Sequence, residues 1–301
     1  MTSPKRNAAA NVSSAYAPFA SDWAEFVHAP EASDNKYSRG VVGFLTGSVE
    51  YPGAAILSVC AAIRFGVGMV RFIGADEVRA QVIAARPEVV AADIDLRPLP
   101  NCAAWVVGSG VPSVLPADDS AVQALHEIAT LAREAGLPLV VDAGALEWID
   151  LNLLGSNCIL TPHAGEALRL LARFGVSTNR AELEADSVGV AQQLANLSGA
   201  IVLLKGSRTV IAAPGDVSWH APEAPAALAT AGTGDVLAGV LGAIAAANAG
   251  ADLFELAKFV VWLHAQSAHL AAQRGPIAAL DLTETLRAIV GEILEGGYVN
   301  D

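Results

Sequence analysis

Short apolar runs alternate with longer mixed segments along most of this chain. The apolar runs predict buried strands, which lie at residues 41–46, 69–73, 105–107, 139–141, 158–160 and 201–204. Helical periodicity predicts helices at 52–65, 121–135 and 182–197, and in most of 233–296. Short apolar strands that alternate with helices indicate an α/β fold, in which a mainly parallel central sheet is covered by helices on both faces.

Turn-forming residues support these boundaries. Pro52 suits the first turn of a helix, and Gly66 and Gly136 suit helix C-termini. Pro214-Gly215-Asp216 predicts a hairpin that joins 208–213 to 217–220.

The domain organisation follows from the continuity of the pattern. No repeat, low-complexity run or linker interrupts it, which favours a single domain over 36–301. Residues 1–35 form a leader that we expect to be partly disordered or to contain one short helix, within 16–28.

Composition narrows the class of protein. Apolar residues make up 53% of the chain and charged residues only 16%, so most of the chain must be packed. The 18 basic and 31 acidic residues give a net charge of −13, which argues against broad nucleic-acid-binding or anionic-membrane surfaces. A local pocket for a small anion stays compatible with that charge.

Cysteine usage and the termini bear on location. Cys60, Cys102 and Cys158 are isolated in apolar runs, which predicts buried free thiols and a reducing, cytoplasmic setting. No apolar segment typical of a signal peptide follows Lys5 and Arg6. The most apolar stretch, 228–251, contains an aspartate and favours a buried helix over a membrane span.

Small and polar clusters follow six of the predicted elements. The clusters are Gly47-Ser48, Gly108-Ser109-Gly110, Asp142, Thr161-Pro162-His163, Lys205-Gly206-Ser207 and Gly232-Thr233-Gly234-Asp235. Open α/β sheets bind ligands at the carboxyl ends of their strands. The clusters therefore predict one site along one edge of the sheet.

The segment 232–235 has the features of an anion-binding helix start. Gly232 and Gly234 permit close approach of the backbone, and an apolar helical run follows, whose N-terminus favours phosphate. Asp235, in the first turn, should stay ionised near the helix dipole and accept a proton from a substrate hydroxyl. The alternative is an ordinary glycine turn with Asp235 as a helix cap.

Two further clusters carry candidate chemistry, each with a structural alternative. The first cluster could contact a diphosphate through its two basic side chains and two hydroxyls; it consists of Lys205, Gly206, Ser207, Arg208 and Thr209. The alternative is a β-turn with exposed charges. His163 stands at a strand end, which favours a functional role over a structural one; Thr161 is the expected helix cap, and Glu166 falls in the first turn.

Asp142 and the remaining histidines complete the set of candidates. Asp142 could hold Mg²⁺ or water near phosphates, or it could cap a helix. His264 and His269 lie within a helical run, and we interpret them as structural.

The clusters together resemble the ADP/ATP-dependent NAD(P)H-hydrate dehydratases. The resemblance covers 36–295 and rests on the ordered motifs GS, YPGAA, GSG, DAGAL, TPHAGE, KGSRT and AGTGD. It implies a ribokinase-like three-layer α/β/α sandwich. It also implies a reaction that removes water from NADHX or NADPHX and restores NADH or NADPH, with consumption of ADP or ATP and with Mg²⁺ as cofactor.

The resemblance also implies roles for individual residues. Lys205, Gly206, Ser207, Arg208, Thr209 and Gly234 would hold the nucleotide. Asp235 would bind the substrate and act as base on its hydroxyl, which is phosphorylated and then lost. The hydrate pocket would be lined by Ala54, Gly110 and His163.

The chain departs from the family pattern in three motifs. The usual Asp-Ala-Asp reads Asp142-Ala143-Gly144, so a second acid is missing and the metal ligands stay unassigned. Residues 108–112 are Gly-Ser-Gly-Val-Pro where the family usually has Gly-Pro-Gly-Leu-Gly. Residues 163–166 are His-Ala-Gly-Glu where the family has His-Pro-Gly-Glu.

Partners follow from the same resemblance. About 40 residues precede the first motif, too few for the epimerase half of the fused proteins, so a separate NAD(P)H-hydrate epimerase is the expected functional partner. We expect a homo-oligomer, with a tetramer as one arrangement; the Ala-rich helices in 233–272 would pack within the fold or against another subunit. A ribokinase-like small-molecule kinase that phosphorylates a sugar or vitamin precursor is the closest alternative function, and a non-catalytic nucleotide sensor is another.

Overall fold

Nine strands form one continuous sheet in the computed structural model, which describes residues 19–95, 97–116 and 119–298. The strands are β1 (Val41–Leu45), β2 (Met69–Gly74), β3 (Val90–Asp93), β4 (Ala104–Val107), β5 (Leu139–Val141), β6 (Cys158–Leu160), β7 (Ile201–Leu204), β8 (Val210–Ala213) and β9 (Val217–His220). Their order is β3-β2-β1-β4-β5-β6-β7-β8-β9. The first seven are parallel, and β8 and β9 form an antiparallel hairpin at one edge.

Helices cover both faces of the sheet. They are α1 (Pro52–Phe65), α2 (Asp76–Ala85), α3 (Ser120–Ala135), α4 (Ala145–Trp148), α5 (Ala164–Arg173), α6 (Arg180–Ala185), α7 (Ser187–Ser198), α8 (Thr233–Ala247), α9 (Leu253–Ala272) and α10 (Ala279–Leu294). Short 3₁₀ helices lie at Ser21–Phe26, Leu151–Leu153 and Ala226–Leu228.

Alternate side chains of each strand enter different cores. In β1, Val42 and Phe44 pack with α1, α2, α8, α9 and α10, whereas Val41 and Leu45 pack with α3 to α7. Successive residues of a strand point to opposite faces, so a uniformly apolar strand must be covered on both. The predicted α/β/α sandwich with a mainly parallel sheet is therefore confirmed.

Most predicted strands and helices agree with the structure to within one or two residues. The prediction of a single helix over 182–197 is wrong, because the helix is interrupted at Asp186. Asp186 ends α6, and its side chain accepts a 2.7 Å hydrogen bond from the backbone N–H of Gly189 to begin α7. The sequence pattern did not predict α2, β3 or α4. The leader helix is a 3₁₀ helix over Ser21–Phe26, and residues 1–18 lie outside the described part.

The strand order reverses between β1 and β4. The chain runs from β1 outward to β2 and β3, then returns so that β4 pairs with the other side of β1. In α/β sheets this reversal opens a crevice at the carboxyl ends of the strands, where ligands bind.

Helix α8 lies close to the sheet and to α1 at two glycines. A Cβ on Gly239 would overlap the carbonyl oxygen of Ser58 in α1, and one on Gly242 would overlap Val106 in β4. The Ala-rich helices α8 and α9 are thus buried within the fold. None of the helices in the described ranges has both the length and the apolar character of a membrane span.

An aromatic cluster joins the two ends of the described chain to α9. Phe19 and Trp23 before β1, Phe259 and Trp262 in α9, and Tyr298 after α10 have ring centroids 5.1–6.2 Å apart. Edge-to-face and tilted ring pairs of this kind stabilise cores beyond the area they bury. The cluster fixes α9, which packs against α8.

Candidate active site

The N-terminus of α8 is open to an anion. The residue before it, Gly232, has φ +89°, and a Cβ there would lie 2.5 Å from Cδ1 of Leu57, so glycine is required. Thr233 begins the helix and turns its hydroxyl away, donating to the carbonyls of Leu228 and Thr230 at 3.0 Å. No side chain caps the helix, so the alternative in which Asp235 acts as the cap is wrong. Unsatisfied N–H groups at a helix start favour phosphate.

Gly234 faces the side chain of Lys205. A Cβ built on Gly234 would lie 3.6 Å from Nζ of Lys205, at ordinary contact distance, with no closer atom around it. Lys205 directly follows β7, whereas Gly234 is in the first turn of α8. The two segments that the sequence assigns to nucleotide binding therefore meet at this point.

Asp142, at the end of β5, is 2% exposed and fully engaged by side-chain donors. It accepts hydrogen bonds from Ser109 (2.7 Å), Thr161 (2.7 Å) and Lys205 (2.8 Å). Burial raises the pKa of Asp142, but Lys205 and the two hydroxyls outweigh burial and hold it below its usual value.

The helix-cap role predicted for Asp142 is wrong, whereas its role near Mg²⁺ stays a prediction. Its Oδ1 accepts from Thr161 and Lys205, and its Oδ2 accepts from Ser109. The following helix, α4, has Gly144 as its N-cap and no side-chain cap. Asp142 instead ties together the ends of β4, β5, β6 and β7.

Lys205 is held charged in a half-buried position. Burial lowers the pKa of Lys205, but the negative charges of Asp142, Glu166 and Asp235 raise it by more, so the pKa lies above its usual value. Its Nζ is 3.9 Å from Oε2 of Glu166 as well as 2.8 Å from Asp142. A fixed ammonium beside an open helix N-terminus is suited to a phosphate group.

The pKa of Asp235 is raised, although the helix dipole beside it favours the ionised form. Burial, and then the negative charge of Asp142, raise the pKa of Asp235 to about 6, against a smaller opposing effect of Lys205. The carboxylate is still ionised at neutral pH. A pKa close to neutrality is the value that a general base requires.

His163, rather than Thr161, is the N-cap of α5, which corrects the sequence prediction. Its Nδ1 accepts from the backbone N–H of Gly165 (3.0 Å) and Glu166 (3.3 Å), while Oε2 of Glu166 accepts from the backbone N–H of His163 (2.8 Å). The His163 side chain stays 55% exposed while it takes part in this capping box. Thr161 is used instead as a donor to Asp142.

His264 in α9 supports the α8 loop from behind. It is 8% exposed, and its Nε2 donates to the carbonyl of Thr233 at 2.9 Å. Burial lowers the pKa of His264 to about 4, so the ring is neutral. The structural interpretation of His264 agrees with this contact, but the sequence contained no sign that it would reach the glycine loop.

Ala54 and Gly110 are in direct contact across the crevice. Gly110 has φ +69°, and a Cβ there would overlap that of Ala54 and lie 3.1 Å from Cα of Gly47. Ala54 is in the first turn of α1, and Gly110 follows β4. Two of the residues predicted to line the hydrate pocket therefore lie together at the reversal of strand order.

The remaining predicted nucleotide residues form the loop between β7 and β8. Gly206, Ser207 and Arg208 are exposed and Thr209 is half-buried. Arg208 is 3.6 Å from Glu223, and both side chains are about 70% exposed. Such an exposed pair contributes little to stability, so Arg208 is available to a ligand.

A separate cavity of about 330 Å³ opens next to Gly47. It lies between the loop after β1, the end of β2 and the loop after β4. The sequence offered no signal for it, because its walls come from four segments that are distant in the sequence, one of which contributes Ile94 after β3.

No group of three or more metal-ligating side chains occurs within the described ranges. Asp142 accepts hydrogen bonds from three side chains, and Glu166 accepts one from the backbone N–H of His163. The side chains present do not build an all-protein metal cage. They are compatible with Mg²⁺ that is held mainly by nucleotide phosphates.

Fold and site together are typical of nucleotide-dependent α/β enzymes of the ribokinase-like class, with an uncapped helix N-terminus beside a carboxylate. The family profile described as NAD(P)H-hydrate dehydratase matches residues 42–290. The chain belongs to the NAD(P)H-hydrate dehydratase family.

Individual relatives agree with this assignment. The ADP-dependent (S)-NAD(P)H-hydrate dehydratase of Neisseria meningitidis is 34% identical over 266 residues, which cover 84% of this chain and 86% of that one. The bifunctional NAD(P)H-hydrate repair enzyme Nnr of Mycobacterium leprae is 40% identical over 267 residues, 85% of this chain but 51% of the relative. The chain thus spans about half the length of the bifunctional relative.

A solved structure shows the same architecture. The ADP/ATP-dependent NAD(P)H-hydrate dehydratase of Bacillus subtilis, co-crystallised with ATP and Mg²⁺, superposes with a TM-score of 0.75 at 27% identity. The match covers 92% of this chain and 98% of that chain.

Proposed function

We propose that the protein dehydrates (6S)-NAD(P)H-hydrate to NAD(P)H at the expense of ADP or ATP. One observation carries the proposal: the charged Lys205 and the carboxylate of Asp235 flank an uncapped, glycine-lined helix N-terminus. That arrangement brings a phosphate site and a base together.

The reaction explains why both are required. Hydroxide is a poor leaving group. Phosphorylation of the hydrate hydroxyl converts it into a phosphate ester, and the lone pair of the ring nitrogen then expels phosphate. The protein must align the terminal phosphoryl group with the hydroxyl and spread its charge. The N–H groups at the start of α8 and the Nζ of Lys205 supply that charge stabilisation.

Each residue has a defined part in the proposal. Asp235 removes the proton of the hydrate hydroxyl as that oxygen attacks the terminal phosphoryl group; the phosphoanhydride bond breaks, and AMP leaves from ADP, or ADP from ATP. Lys205 and Gly234 hold the phosphates, and Gly206, Ser207, Arg208 and Thr209 contact the rest of the nucleotide. Ala54, Gly110 and His163 line the pocket for the hydrate, as the family pattern implies.

Mg²⁺ is proposed to enter with the nucleotide phosphates. The phosphates would supply most of its ligands, and the carboxylate of Glu166, 3.9 Å from Nζ of Lys205, would lie close to it. The ion would offset the negative charge of the phosphates during transfer.

Partners and location complete the proposal. An NAD(P)H-hydrate epimerase is proposed as the functional partner, because it would supply the S form of the hydrate. The three free, buried cysteines support a cytoplasmic location. Assembly into a homo-oligomer, such as a tetramer, stays a prediction.

The experiment is direct. Chemically prepared NADHX is incubated with the protein and either ADP or ATP, and the return of absorbance of the reduced nicotinamide is followed. Recovery of NADH that depends on nucleotide is expected. Accumulation of a stable phosphorylated hydrate would favour a kinase, and nucleotide binding without turnover would favour a sensor.

A further inference from the structure

The cavity beside Gly47 adjoins the proposed hydrate pocket. Gly47 and Val111 line it, and Gly47 also borders the contact between Gly110 and Ala54. Asp235 and Gly234 do not line it. A ligand whose reacting ring lies at Asp235 would therefore use this cavity only for a remote part.

Its size and walls suit one nucleoside. The volume of about 330 Å³ is at the lower end of the range of about 300–1,000 Å³ for small-molecule sites. Apolar side chains make up most of the walls, including Leu45, Val78 and Ile94. Tyr51 and Val114 lie in the loops around the cavity and are 52% and 84% exposed. A planar base would cover such apolar surface.

The polar groups of the cavity are mostly neutral or acidic. Glu50 and Asp119 line it together with two serines, and no Lys, Arg or His stands among the described lining residues. Oδ1 of Asp119 also accepts from the backbone N–H of Ala121, which makes Asp119 the N-cap of α3. A carboxylate accepts hydrogen bonds from ribose hydroxyls but repels a phosphate.

We propose that this cavity holds the adenosine half of the dinucleotide hydrate, and that Glu50 and Asp119 select NADHX over NADPHX. The two substrates differ only at the ribose 2′ position, as a hydroxyl or a phosphate. The inference rests on the proposed function and adds the choice between its two substrates.

The test compares kcat/KM for NADHX and NADPHX in the wild type and in Glu50→Lys. The wild type is expected to prefer NADHX. Glu50→Lys shifts the ratio of the two constants towards NADPHX by about tenfold, mainly through KM, because the change is remote from the reacting ring. Asp119→Asn retains the helix cap and shifts the ratio in the same direction by a smaller factor.

Glu134→Lys is the matched control. It makes the same charge change at an exposed position near the opposite end of α3, and the substrate ratio should equal that of the wild type. Melting temperatures verify that each variant is folded. The inference is overturned by a wild type that prefers NADPHX, or by unchanged ratios in folded Glu50→Lys and Asp119→Asn. Absence of turnover with either hydrate rejects the proposed function, and this inference with it.

Discussion

At the residue scale, Asp235 lies between opposing influences on its charge. Burial and Asp142 make the carboxylate harder to ionise, and Lys205 makes it easier, with a resulting pKa of about 6. A base works only when deprotonated. We predict that kcat/KM is constant above pH 7 and falls about tenfold per pH unit below pH 6. A pH–rate profile with saturating nucleotide measures this, and an acid limb near pH 4 would contradict the assignment.

Replacement of Asp235 separates catalysis from stability. Asp235→Asn should lower kcat by about 10² to 10⁴ or more, with little change in nucleotide affinity. The pKa of Asp235 is about 6 in the folded protein and 3.8 in the unfolded chain, so ionisation of this group destabilises the folded protein as the pH rises from 3.8 to 6. Asp235→Asn removes this effect and should be more stable than the wild type by about 1–3 kcal/mol at pH 8. Denaturant unfolding should show this difference vanish below pH 4, and near-normal turnover would reject Asp235 as the base.

Sequence alone could predict which residues approach the site, but not how they are paired. Lys205 and Asp235 carry recognisable chemistry in glycine-rich motifs at strand and helix ends. The network around Asp142 is different, because its donors Ser109, Thr161 and Lys205 follow three separate strands. Only the order of strands in the sheet brings them together.

At the element scale, the two glycines before and within α8 have different tasks. Gly234→Val should fold, because the nearest atom to its Cβ is Nζ of Lys205 at 3.6 Å. The side chain then fills the phosphate space, and we predict that nucleotide affinity falls about 100-fold or more, which equals about 2.8 kcal/mol. Calorimetric titration with ADP and ATP measures the loss.

The comparison variant is Gly232→Ala. Its backbone is left-handed and its Cβ would meet Leu57 at 2.5 Å, so this change should lower the free energy of unfolding as well as binding. Unchanged nucleotide affinity in folded Gly234→Val would reject the phosphate site.

Periodicity predicted most elements because the central strands are buried on both faces and because α1, α3 and α7 end at a glycine. It failed where a polar side chain decides the boundary. Asp186 splits one apparent helix into α6 and α7, and His163 takes the capping position expected for Thr161. These outcomes depend on side-chain hydrogen bonds to the backbone, which an apolar pattern does not contain.

At the scale of the whole molecule, both ends of the described chain are anchored on α9. Trp23 is 6% exposed and packs on Phe259 and Trp262. We predict that Trp23→Ala lowers the free energy of unfolding by about 3–5 kcal/mol, as for other buried tryptophans. Denaturant titration measures it. Trp219→Ala, at the half-buried edge strand β9, is the matched control and should cost much less; equal losses would contradict the anchoring role.

The neutral ring of His264 makes this architecture observable. Its Nε2 proton is buried against the carbonyl of Thr233, one residue from Gly234 in the proposed phosphate site. In nitrogen-15 NMR spectra that proton should exchange slowly and give a resolved imidazole resonance. The position of the resonance would report nucleotide occupancy from inside the protein, without a label that touches the reactants.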